Sequence, residues 1–121
     1  MRIKEVSQRF GLSQDTLRYY EKIGLIDYVT RDSQGNRDYQ ESDLQRLEFV
    51  CCMRDAGVSI QVLREYIELN HLGDETMEAR KNLLIQERKK LLDKQAIIQA
   101  SLDKLEYKIE NYEKCLSTKK I

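Results

Sequence analysis

The chain of 121 residues contains no proline and no tryptophan, one histidine, three cysteines and five glycines. Each scarcity excludes something. The lone His71 has no Cys or carboxylate cluster at metal-ligand spacing beside it, so a zinc or other metal centre is not expected. Cys51, Cys52 and Cys115 are odd in number and lack zinc-like spacing, which fits a reducing compartment better than a disulfide scaffold. No apolar run approaches the ~20 residues needed to span a bilayer, so the reading is a cytoplasmic protein without a membrane partner. No Gly-rich phosphate loop is present. With neither that loop nor a nucleophile–base arrangement, an enzyme is not expected, and neither is a cofactor. Net charge is zero, and residues 1–70 and 71–121 each come close to balance. Any case for nucleic acid must therefore rest on local placement of charge.

What is present is helical. Ile3, Val6 and Phe10 recur at i, i+3, i+7 and predict a short helix over Ile3 to Phe10. A second helix is expected after Ser13, whose hydroxyl can accept an orphan backbone N–H, and Gly24 ends it. Leu17 and Ile23 mark its apolar side. Gln14, Asp15, Arg18, Tyr19 and Lys22 mark a polar side that carries an aromatic ring. Two short helices joined by a tight turn containing Gly make a helix-turn-helix, whose second helix can lie in a DNA major groove.

Beyond Leu25, the run Ile26 to Arg31 reads as a strand. Asp32 to Asn36 carries turn chemistry, and Arg37-Asp38-Tyr39 reads as a return strand. The hairpin is of the kind called a wing, and Arg31 and Arg37 flank its turn. A helix then runs from Ser42-Asp43-Leu44 to Ala56, and Gly57 stops it. Ser59 caps a further helix from Ile60 to about Asn70, and His71 to Asp74 forms a break. From Glu75 to about Leu116 there is no Gly or Pro, which predicts one helix of roughly 40 residues, about 60 Å long. Leu84, Leu91, Ile98, Leu105 and Tyr112 recur every seven residues from Met77. Leu102, Ile109 and Leu116 complete an a/d seam in the second half. In the first half Lys81, Arg88 and Gln95 take the a positions, and Ile85 and Leu92 widen the stripe. An apolar stripe of this length calls for a partner helix, and a second copy of the chain is the simplest one. The domains expected are 1–70, a dimerisation helix over 75–116, and a tail over 117–121.

Three linked stretches carry a resemblance. TLRYYEKIGLI at Thr16 to Ile26, the Arg31 to Tyr39 segment with its R-x-x-x-G-x-R-x-Y pattern, and DLQRLEFVCCMRDAGVSI at Asp43 to Ile60 resemble the MerR family of bacterial transcription regulators. The resemblance implies a mainly α fold: a winged helix-turn-helix DNA-binding domain with a long C-terminal helix forming an antiparallel coiled-coil homodimer. It implies a partner, double-stranded promoter DNA, and an indirect one, RNA polymerase. Such proteins bend and underwind an overlong promoter spacer, realigning its two elements for the polymerase. By position, Arg18 is the leading candidate for a base or phosphate contact. Tyr19 and Tyr20 match the family's paired tyrosines at the phosphate backbone, although one of two adjacent tyrosines must face inward. Gln14 and Thr16 lie near base edges. Arg31 and Arg37 are the wing's phosphate contacts, and Tyr39 belongs to the same set as a brace of the wing.

The effector is less determined. The long helix starts without a Cys, and Cys115 stands alone, so too few thiolates converge for soft-metal sensing. The segment CCMRDAGVSI resembles the branch of the family that responds to reactive aldehydes and related electrophiles, in which Cys52 takes the reactive position. Glu48 and Asp55 nearby would raise a thiol pKa, and small apolar filler remains an equal reading for both cysteines. The alternatives that stay open are a coiled-coil adaptor without enzymatic activity and a regulator of this kind with a non-thiol effector.

Overall fold

A computed structural model describes residues 1–119. The elements, in order, are α1 (Ile3–Phe10), α2 (Gln14–Lys22), α3 (Glu41–Asp55), α4 (Ile60–His71), a 3-10 turn (Asp74–Thr76) and α5 (Met77–Lys119). The helix starts follow side-chain chemistry. The Ser13 hydroxyl accepts the Thr16 N–H at 3.0 Å, and the Ser59 hydroxyl accepts the Val62 N–H at 3.2 Å. The Asp43 carboxylate is buried at the start of α3 and accepts the Gln40 N–H at 2.8 Å. Gly24 takes a φ of 76°, a left-handed conformation that turns the chain away after α2.

The chain divides into two compact units, the first Met1–Leu83 and the second from Leu84 onward. The first unit has a single core. Val6 of α1 meets Leu17 of α2, and the connection beyond α2 adds Leu25, Ile26 and Val29. Leu44, Leu47 and Val50 come from α3, Val58 from the turn after it and Leu63 from α4. Burying each such aliphatic side chain contributes roughly 1.5–3 kcal/mol, so this core holds α2 in place from behind.

The predicted strands do not form. Among the described residues there is no strand, only one antiparallel bridge between Arg31 and Arg37. Two causes are visible. Leu25, Ile26 and Val29 all point into the core, which breaks the alternation a half-buried strand needs. The return limb also takes another partner, because the Tyr39 N–H donates to the Met1 carbonyl at 2.7 Å. The wing is instead a loop closed by side chains. One oxygen of Asp32 accepts the N–H groups of Gln34 and Asn36, both at 2.9 Å, and its other oxygen pairs with Arg2. Thr30 accepts the Asp38 N–H at 2.7 Å.

At the end of the first unit, Thr76 and Arg80 knit the 3-10 turn. The Thr76 hydroxyl donates toward the carbonyls of Leu69 (2.6 Å) and Gly73 (2.8 Å). Arg80 donates to Thr76 Oγ1 at 3.0 Å, Asn70 Oδ1 at 2.7 Å and the Gly73 carbonyl at 3.3 Å. The first unit consequently runs past residue 70 into the first turns of α5. Helix α5 has 43 residues, about 65 Å at 1.5 Å per residue. From Leu92 to Lys119 every residue is exposed. No described helix is long and apolar enough to cross a membrane.

Candidate nucleic-acid interface

Leu17 anchors α2 by its inner face, which leaves Gln14, Asp15, Arg18 and Tyr19 on the outer one. Arg18 donates to Asp15 Oδ1 at 3.1 Å and to Gln14 Oε1 at 3.3 Å. Gln14 and Arg18 are thus held against each other in the free protein. Thr16 is half-buried, and its hydroxyl lies 2.8 Å from that of Ser13. The adjacent tyrosines divide as their spacing requires. Tyr19 is exposed, and Tyr20 packs against the core, with the rings edge to face at 6.4 Å.

The wing arginines meet a residue that sequence reasoning missed. The Glu21 carboxylate, on the last turn of α2, is only 7% exposed. Arg31 Nη2 donates to both of its oxygens at 3.2 Å, Arg37 Nε donates to Oε1 at 2.8 Å, and the Val29 N–H donates to Oε2 at 3.1 Å. One carboxylate therefore joins α2 to both limbs of the wing. Arg31 also lies 5.0 Å from the centre of the exposed Tyr28 ring and donates to its hydroxyl at 3.3 Å. Its guanidinium is held even more firmly in the charged form, chiefly by that hydrogen bond. The partners lie ten and sixteen residues from Glu21, so no local pattern announces them.

Arg2, Arg18 and Arg37 line a concave notch with Ile3, Gly35 and Asn36, of about 280 Å³. Arg2 was not singled out on sequence either. Each of the three guanidiniums has a carboxylate at hand: Asp32, Asp15 and Glu21 respectively. The Arg2 hydrogen bond holds the Asp32 carboxyl below its ordinary 3.8. The notch therefore gathers three guanidiniums whose charge is locally compensated by carboxylates.

Tyr39 is buried at 2% exposure, so, like Tyr20, it is turned inward although expected at DNA. It braces the base of the wing, and its hydroxyl has no hydrogen-bond partner among the described residues. Burial pushes its pKa above 10.0. Cys51 packs against the core, and burial, reinforced by Asp55, pushes its thiol up. Cys52 and Cys115 are exposed. Arg54, two residues beyond Cys52, donates to the Val58 carbonyl at 2.9 Å. His71 ends α4 with Nε2 against Asp27, and no group of three His, Cys, Asp or Glu among the described residues suits a metal ion. The seam residues Leu84, Leu91, Ile98, Leu102, Leu105, Ile109, Tyr112 and Leu116 share one side of α5. All are exposed except Leu91, which is half-exposed.

Residues 1–69 match the family model described as MerR HTH family regulatory protein. The HTH-type transcriptional regulator AdhR of Bacillus subtilis (strain 168) is 52% identical over 93 residues, which is 77% of this chain and 66% of that relative. A Listeria monocytogenes structure described as a MerR family transcriptional regulator superposes with a TM-score of 0.86 at 42% identity, covering 93% of this chain and 86% of the other. The structure of HiNmlR, a MerR family regulator lacking the sensor domain and bound to promoter DNA, gives 0.82 at 34% identity, covering 93% and 90%. With a core that presents α2 outward, a wing fixed to it and a family model matched over more than half its length, the chain belongs to the MerR family of helix-turn-helix transcriptional regulators.

Proposed function

We propose that the chain acts as a homodimer that binds promoter DNA, bends and underwinds the spacer and so controls RNA polymerase. The observation that carries this reading is the convergence of Arg2, Arg18 and Arg37 on one notch between α1, α2 and the wing. Arginine at a concave, partly compensated site suits a bidentate phosphate contact. Gln14, Thr16 and Arg18 read base edges, and Tyr19, Arg31 and Arg37 hold the backbone, with Tyr20 and Tyr39 supporting from behind.

The exposed seam of α5 supports dimerisation, since a stripe running from Leu84 to Leu116 is exposed from Leu92 on among the described residues. Its charges support an antiparallel pair. Lys81, Arg88, Lys89, Lys90 and Lys94 outweigh the acids in the first half, whereas Asp103, Glu106, Glu110 and Glu113 balance Lys104, Lys108, Lys114 and Lys119 in the second. Antiparallel pairing sets the base-rich half against the balanced half with its four acids; parallel pairing sets the two base-rich halves against each other. The domains in this reading are the DNA-binding part over 1–70, the dimerisation helix over 75–116 and a tail over 117–121.

The effector in this reading is a reactive aldehyde or related electrophile that modifies Cys52. Its exposure makes the thiol reachable, and the added bulk on α3 would shift the DNA-binding unit between two arrangements. The test has two stages. In-vitro transcription from the DNA flanking the gene, with footprinting of the spacer, should show binding with a distorted spacer; protection without distortion or any change in transcription would reject the mechanism. Reporter strains carrying the wild type and Cys52→Ser should then differ in their response to formaldehyde or methylglyoxal. Equal responses would leave the DNA reading standing and remove Cys52 as sensor.

A further inference from the structure

We propose that Glu21 is a positioning residue for DNA binding, one that touches no DNA and sets the two wing arginines against the phosphate backbone as a single body with α2. The inference rests on the DNA reading above and deepens it. Three features of the geometry carry it. First, the carboxylate is nearly buried yet fully used, with two guanidiniums and the Val29 N–H on its two oxygens. A buried carboxylate so placed is costly to strip of partners, which makes the arrangement rigid. Second, Glu21 engages Arg37 through Nε alone. No protein partner is seen for Arg37 Nη1 or Nη2 among the described residues, and the side chain lines the notch beside Arg18 and Arg2. Glu21 thus fixes the fork by its inner edge and leaves the outer nitrogens for an anion. Third, the wing has only one backbone bridge of its own, between Arg31 and Arg37. Two backbone hydrogen bonds at that bridge (Asp38 N–H to the Thr30 carbonyl at 2.7 Å, Asp32 N–H to the Asn36 carbonyl at 2.8 Å) set the register of the limbs, and the Glu21 clamp is what ties the paired limbs to α2.

Two arginines and one glutamate leave one net positive charge. A simpler view, in which the cluster only stabilises the fold, predicts that DNA affinity follows stability and nothing else. The salt dependence of binding separates the two views, because its slope counts the phosphates neutralised. The full chain would be used, with a duplex selected by the wild type from a random pool. Glu21→Gln preserves shape and removes the charge that orients both guanidiniums. It should bind about tenfold more weakly at physiological salt, with the slope of log affinity against log salt lowered by about one to two, at temperatures where the variant is fully folded. Arg37→Lys is the second variant, in case Glu21→Gln does not fold. It conserves charge, loses the Nε bond to Glu21, and should also lose several-fold in affinity. In the Arg31→Ala/Arg37→Ala background, Glu21→Gln should have no further effect on affinity.

An unchanged slope in Glu21→Gln overturns the proposal. So does a steeper slope with tighter binding, which would mean that Glu21 competes with phosphate. Equal affinity of Arg37→Lys and wild type, or a full additional loss in the double-arginine background, would do the same. A wild type that selects no duplex fails the DNA reading itself, and the proposal with it, and is told apart because it appears before any variant is made.

Discussion

Tyr39 and Asp32 show at the scale of one residue how the wing is held. The Tyr39 hydroxyl is buried without a partner among the described residues, and a polar group stranded in this way costs on the order of 1–3 kcal/mol. Tyr39→Phe keeps the ring and removes the liability, so the variant should be as stable as the wild type or more stable by about 1 kcal/mol, as read from urea unfolding. A clear loss of stability would mean that the hydroxyl has a partner. Asp32 acts in the opposite sense. Its carboxylate receives Arg2 and two backbone N–H groups, and the folded pKa is held below the ordinary 3.8. The unfolded chain therefore binds the proton more readily. The contribution of Asp32 is fully present above that ordinary value and is lost as pH falls through it toward the folded value. Asp32→Asn should accordingly show a shallower loss of stability in acid than the wild type, measured as unfolding midpoints between neutral pH and pH about 3.

The ends of the elements were readable because single residues set them. Ser13 and Ser59 cap α2 and α4 as their hydroxyls allow, and Gly24 turns the chain out of α2. The wing was less readable. Residues 26–31 have strand-like composition, but their burial at 26 and 29 and the pairing of Tyr39 with Met1 are tertiary facts that local pattern does not contain. Glu21 and Arg2 were invisible for the same reason, since both act on residues ten to thirty positions away. The junction before α5 belongs to this class too. Its break was legible from Gly73, but the hold of Arg80 on Thr76, Asn70 and Gly73 was not. Arg80→Ala should cost about 1 kcal/mol and accelerate hydrogen exchange at the Thr76 amide, which donates to Gly73 at 3.1 Å. Unchanged exchange there would show that the backbone turn needs no side-chain support.

For the whole molecule, the direction of pairing has a chemical signature. In an antiparallel pair the two Cys115 thiols lie toward opposite ends of the coil, on the order of 50 Å apart. In a Cys51→Ser/Cys52→Ser background, mild oxidation should then yield no covalent dimer on a denaturing gel, because a disulfide requires Cα atoms within about 7 Å. Rapid and complete cross-linking would establish a parallel coil instead. The exposed seam of α5 has a further consequence. In the dimer proposed above, the apolar side of α5 is covered by another copy and ordered by mass action, so the folded fraction would rise with the amount of protein made. A sparse chain would spend more time with its second unit open to proteases, and an abundant one would be protected. If α5 pairs as proposed, the lifetime of the regulator would become a function of its own concentration, and a cell that makes a little more of it would keep disproportionately more.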